Sequence, residues 1–136
     1  MSKLFACAAL LVLWGVAVDS AAAHRREARC YARTKDWRAW VERSSNEGRR
    51  QLVVAGIVTT PTGLNRRYLK LGSVIGSKHP QQVVELEIRA IADIATMAVE
   101  THEVRGRFAA LPRYGSVVIR CNGENVGRVS PVDQRP

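Results

Sequence analysis

Ser116-Val117-Val118-Ile119-Arg120-Cys121-Asn122-Gly123-Glu124-Asn125-Val126-Gly127-Arg128-Val129 decides the fold class. Asn122-Gly123 is the dipeptide best suited to a type I′ turn, whose two central residues both need positive φ, and strand-forming runs flank it on both sides. A two-residue loop predicts Cys121 opposite Glu124, Ile119 opposite Val126 and Val117 opposite Arg128. Side chains alternate along a strand, so Val117, Ile119 and Cys121 share one face, which we assign to the core.

Working outward, Val84, Leu86 and Ile88 alternate with Glu85, Glu87 and Arg89, the pattern of a half-buried strand. Residues 82–97 stay open between strand and helix, because Ile91, Ile94 and Ala95 also fit one helical face and Glu85 with Arg89 has helical i, i+4 spacing. Residues 97–107 permit a further strand, interrupted at Leu111-Pro112. Leu69 and Leu71 alternate around Lys70, and Val74 and Ile75 follow Gly72, which predicts a strand with a bulge at the glycine. Residues 51–58 are β-favouring and run into the turn chemistry of Thr59-Thr60-Pro61-Thr62-Gly63. One stretch reads differently: Asp36 suits a helix cap, and Trp37, Trp40 and Val41 fall at i, i+3 and i+4. A short helix over 36–43, with both tryptophans anchored in the core, is the expectation there. The chain as a whole reads as all-β, a small immunoglobulin-like antiparallel sandwich with a short N-terminal helix.

Lys3, the apolar run Leu4 to Val18 and Ala21-Ala22-Ala23 read as a signal peptide over residues 1–23. The apolar run is shorter than the roughly 20 residues of a membrane-spanning helix, so no transmembrane segment is expected in the mature chain. The organisation predicted is a leader (1–23), an N-terminal basic segment with the short helix (24–50) and a β-sandwich domain (51–136). Loss of the leader removes Cys7 and leaves Cys30 and Cys121, which we expect to form one disulfide in a periplasmic or extracellular setting.

Against 12 acidic residues the chain sets 21 Lys and Arg, for a formal charge of +9. The bases gather in residues 24–50, 62–80 and 104–136, whereas 83–103 is acidic. Such a surface attracts nucleic acid, acidic polysaccharide or anionic lipid head groups. The candidate anion-binding residues are Arg66, Arg67, Tyr68, Lys70 and Lys78: guanidinium forks grip phosphate or carboxylate bidentately, and a tyrosine can stack on a sugar or base. A charged strand edge that blocks aggregation is the competing reading of the same residues.

Three further pieces, Trp37-Arg38-Ala39-Trp40, Gly56-Ile57-Val58-Thr59-Thr60-Pro61-Thr62 and Tyr114-Gly115-Ser116-Val117-Val118-Ile119, go together. The combination resembles small exported bacterial β-sandwich proteins of unassigned function, which carry a tryptophan segment, a G-x-V-x-x-P-T strand exit and a late Y-x-x-V-x-(I/V) strand. That resemblance implies an exported sandwich and transfers no catalytic residue.

His102-Glu103 lacks the second histidine of a zinc-protease helix, since Gly106 stands four residues on, and no G-x-S-x-G, P-loop or dinucleotide fingerprint occurs. We therefore expect no catalytic residues, no metal and no cofactor. The leading expectation is a non-catalytic binding or structural protein of the envelope or extracellular space with a protein partner. A polyanion-binding module is the alternative, and a small secreted hydrolase or nuclease is third.

Overall fold

The computed structural model describes residues 30–61, 66–89 and 99–136, all strand, turn or irregular chain. The expected leader lies outside the described residues, as does the 90–98 half of the ambiguous segment. The strands are β1 (Arg33–Arg43), β2 (Arg50–Pro61), β3 (Arg66–Ile75), β4 (Gln81–Arg89), β5 (Val99–Ala109), β6 (Ser116–Cys121), β7 (Glu124–Val129) and β8 (Asp133–Gln134). They form two four-stranded sheets, sheet A in the order β5-β2-β1-β8 and sheet B in the order β3-β4-β6-β7.

The core lies between the sheets and follows from period-two patterning. Leu52, Val54 and Val58 of β2 and Val84 and Leu86 of β4 meet Val117, Ile119 and Cys121 of β6, all nearly or wholly shielded from solvent. Residues 81–89 thus resolve as strand, because every second side chain finds this apolar layer, while Glu85 and Glu87 point the other way.

Three expectations are corrected. The segment 36–43 is not a helix but part of β1, paired with β2 from Arg33↔Thr59 to Arg43↔Arg50. A bulge between Lys35 and Arg38, with Asp36 at φ 56°, sets the alternation that follows. Trp37 and Val41 consequently face the core and Trp40 the opposite side of sheet A, so residues that mimic one helical stripe occupy two faces of a sheet. β1 also belongs to the sandwich, so the boundary drawn at residue 51 falls inside a hairpin of paired strands. Nor are the sheets antiparallel throughout as in the immunoglobulin arrangement: β4 pairs with β6 in parallel, and so do β1 and β8. Between β4 and β6 the chain crosses into sheet A to form β5, and it is this crossover that lets the two strands run the same way.

The last hairpin turns at Asn122 (φ 49°) and Gly123 (φ 80°) with Cys121 opposite Glu124, as the turn chemistry requires. Its register then slips by one residue after Arg120, so that Ile119 faces Gly127 and Val117 faces Val129 instead of Val126 and Arg128. The slip has a use. The carbonyl of Val126 accepts a 2.9 Å hydrogen bond from Thr34 Oγ1, which in turn accepts one from Trp37 Nε1 at 3.0 Å, tying β7 to β1. Gly127, like Gly56 across the core, gives the Trp37 ring room: a Cβ at either position would overlap the indole.

Cys30 and Cys121 are disulfide-bonded, with Cα atoms 5.3 Å apart at a sequence separation of 91. The expected bulge in β3 is present between Leu71 and Val74.

Candidate anion-binding face

The five residues singled out on β3 and its following loop do not converge. Arg66, Tyr68 and Lys70 share the outer face of sheet B, whereas Arg67, one residue out of phase, turns inward with its side chain only 8% exposed. Arg67 Nε donates to Thr60 Oγ1 at 3.0 Å and its Nη2 to Glu100 Oε2 at 3.1 Å, so this guanidinium holds the rims of the two sheets together. Lys78 sits in the β3–β4 loop. On the outer face Glu87 gathers the remaining charge: Tyr68 donates its hydroxyl to it, and Lys70 and Arg89 approach within 3.9 and 3.6 Å. Hydrogen bonding to Tyr68 is the main reason the Glu87 carboxyl is held below its ordinary range, and the same bond pushes the Tyr68 hydroxyl up. Tyr68 and Lys70 are therefore already drawn to a carboxylate, while Arg66 stands opposite Arg89.

A more uniform positive surface lies on the outer face of sheet A. The bulge in β1 keeps Arg33 and Lys35 on the same face as Arg38, opposite Thr59, Ile57 and Ala55 of β2. On the other flank of β2, Arg105 and Arg107 stand opposite Ala55 and Val53. Two cationic columns thus run along the sheet with the apolar Val53, Ala55 and Ile57 between them. Same-face residues recur about every 6.7 Å along a strand, and the columns are two strand spacings, about 9.6 Å, apart.

Trp40 anchors one end of this array. It is 4% exposed, covered by the Arg135 guanidinium 4.1 Å from the ring centroid and by Arg105 at 5.7 Å. Its Nε1 donates to Glu42 Oε2 at 2.8 Å, and Arg107 Nη1 donates to Glu42 Oε1 at 2.5 Å. These contacts, the indole first, hold the Glu42 carboxyl below its ordinary range. Arg105 is paired with Glu103 at 2.9 Å. Arg33, Lys35 and Arg38, in contrast, have no carboxylate partner among the described residues. They are the cations left to meet an external anion.

The charge of residues 24–50 is visible in the sequence, but its convergence is not. It depends on reading 33–43 with period two and one bulge, which the helix-like spacing of Trp37, Trp40 and Val41 conceals. Away from this face, the half-exposed His102 Nε2 lies 3.3 Å from Glu100 Oε2, both in phase with the core-facing Val104 of β5. Among the described residues no three His, Cys, Asp or Glu side chains gather as a metal site would need. No protein-family model, curated protein or solved structure matches the chain.

Proposed function

We propose that this chain is an exported binding protein of the cell envelope or extracellular space, and that it engages a polyanion through the outer face of sheet A. The observation that carries the reading is the alignment of Arg33, Lys35 and Arg38, without carboxylate partners, beside Arg105 and Arg107 on one sheet face. Guanidinium and ammonium groups aligned on one face attract and orient anionic groups, the guanidinium forks bidentately. The leader-like residues 1–23 support export, as does the Cys30–Cys121 disulfide, since such bonds persist in oxidising compartments. Among the described residues no helix is long and apolar enough to cross a membrane.

The test is heparin binding as a function of salt. Affinity should fall steeply as ionic strength rises, because each neutralised anion releases a counterion. Replacing Arg33, Lys35 and Arg38 together by Gln should reduce the magnitude of the log–log slope by about 3, one for each contact removed. The matched set Arg66→Gln, Lys70→Gln and Lys78→Gln should change it less. Equal effects from the two sets would remove the assignment to sheet A.

A further inference from the structure

A second surface, distinct from the cationic face, lies where β3 ends. β3 is the outermost strand of sheet B, and no described strand pairs with its outer edge. Its first half carries Arg66 and Lys70, the charges by which natural proteins protect an open edge. Its second half does not: Leu71, Val74 and Ile75 are 42%, 46% and 47% exposed, three large apolar side chains within five residues. Beside them runs a groove of about 470 Å³ lined by Val74, Ser77, Pro80, Leu111, Pro112 and Arg113.

The segment is held in place. Gln82 is 2% exposed, and its Nε2 donates to the carbonyls of Gly72, Ser73 and Val83 at 3.0, 3.3 and 2.9 Å. This buried amide fixes the bulge, which leaves Leu71 and Val74, opposite Val84 and Gln82, on one face of β3 with Val74 at the groove, and Ile75, opposite Gln81, on the other. An edge already ordered in this way costs a partner less to bind than a loop that must first be ordered. Arg113 lines the groove and Lys78 lies in the same β3–β4 loop as its Ser77 and Pro80; neither has a carboxylate partner among the described residues.

We propose that the β3 edge and its groove accept an extended segment of a partner protein in which apolar side chains alternate with carboxylates, added to sheet B as a further strand. Backbone pairing along β3 supplies the adhesion, the groove takes every second side chain, and Lys78 and Arg113 select for acidic residues between them. A second copy of this chain fits poorly. It would bring the same cationic rim against itself, in a protein of formal charge +9. The apolar floor likewise separates this surface from one built for a nucleic-acid backbone.

The experiment titrates the oxidised protein with a fluorescent, acetylated peptide alternating Glu and Val, and with its Lys–Val counterpart. The acidic peptide should bind and slow amide hydrogen exchange at Leu71–Ile75, and the basic peptide should not. Val74→Glu should weaken the acidic peptide about tenfold or more by removing an apolar contact and adding a repelling charge. In the Arg33→Gln, Lys35→Gln, Arg38→Gln triple variant the peptide should still protect Leu71–Ile75 from exchange, whatever the overall affinity loses with the sheet A cations, which separates this proposal from that of the sheet A face. The near-ultraviolet circular dichroism of both variants should match the parent, since all four positions are at the surface. The proposal is overturned if both peptides bind equally, if neither binds, if protection appears on β5 in place of β3, or if the triple variant loses the protection at Leu71–Ile75. It is also overturned if the protein dimerises through this edge, shown by dissociation on Val74→Glu.

Discussion

The indole of Trp37 on β1 lies so close to Gly127 on β7 that a Cβ there would overlap the ring, an approach that joins sheet A to sheet B. Gly127→Ala should therefore destabilise the fold even though a methyl group is all it adds. The expected cost is about 1–3 kcal/mol, typical of overpacking a filled site. Urea unfolding should show a lower midpoint with an unchanged slope. Combined with Trp37→Leu, which vacates the space, the alanine should cost far less than it does alone, a coupling that a double-mutant cycle measures.

The Cys30–Cys121 bond closes a long loop and restrains the unfolded chain. A chain without residues 1–23 should show no free thiol when oxidised. Replacing both cysteines by Ser should lower stability by about 2–5 kcal/mol while the β circular-dichroism signature survives.

Acid should weaken the fold through Glu42, Glu87 and Glu100. Each is held below the ordinary carboxylate value of 4.5, chiefly by Trp40, Tyr68 and Arg67 respectively. A pKa lowered by folding contributes stability that is complete above 4.5 and is lost as pH falls through the native value. Thermal midpoints should hold steady from neutral pH down to about 4.5 and then decline. Glu100→Gln should lower the neutral midpoint and flatten that acid limb, because the amide no longer titrates beside Arg67.

Arg135 shields Trp40 from water. Arg135→Ala should red-shift tryptophan emission and increase its quenching by acrylamide, with a stability loss of about 0.5–1 kcal/mol for an exposed cation–π pair. If emission and quenching stay at parent values, the cover over Trp40 comes from elsewhere.

What could be read in the sequence was local. Asn122-Gly123 fixes its own turn, Val84 to Arg89 declares its two faces, and Gly72 marks its bulge, because each signal acts over a few residues. The Cys30–Cys121 pairing was legible by elimination once Cys7 was assigned to the leader. The remainder depended on distant partners. β1 is a strand because β2 pairs along its whole length, and nothing within 36–43 distinguishes that from a helix with the same apolar spacing. The slip after Arg120 exists because Thr34, far upstream, takes the carbonyl of Val126. The five anion-binding candidates part company for a related reason. Arg66 and Arg67 are neighbours in sequence, and in a strand neighbours face opposite ways; only the inward one meets Thr60 and Glu100.

The pairing of β1 with β8 sets an order of events for a chain synthesised from its N-terminus. Asp133 emerges 93 residues after Trp40, yet they are partners in sheet A. Until β5 arrives, sheet A consists of the β1–β2 hairpin alone, and a lone hairpin is marginal in water. Sheet B, in turn, cannot join β4 to β6 until the chain has passed through β5. Such a polypeptide stays pliable while β1 to β7 are being made, and sheet A is complete only once β8 has emerged.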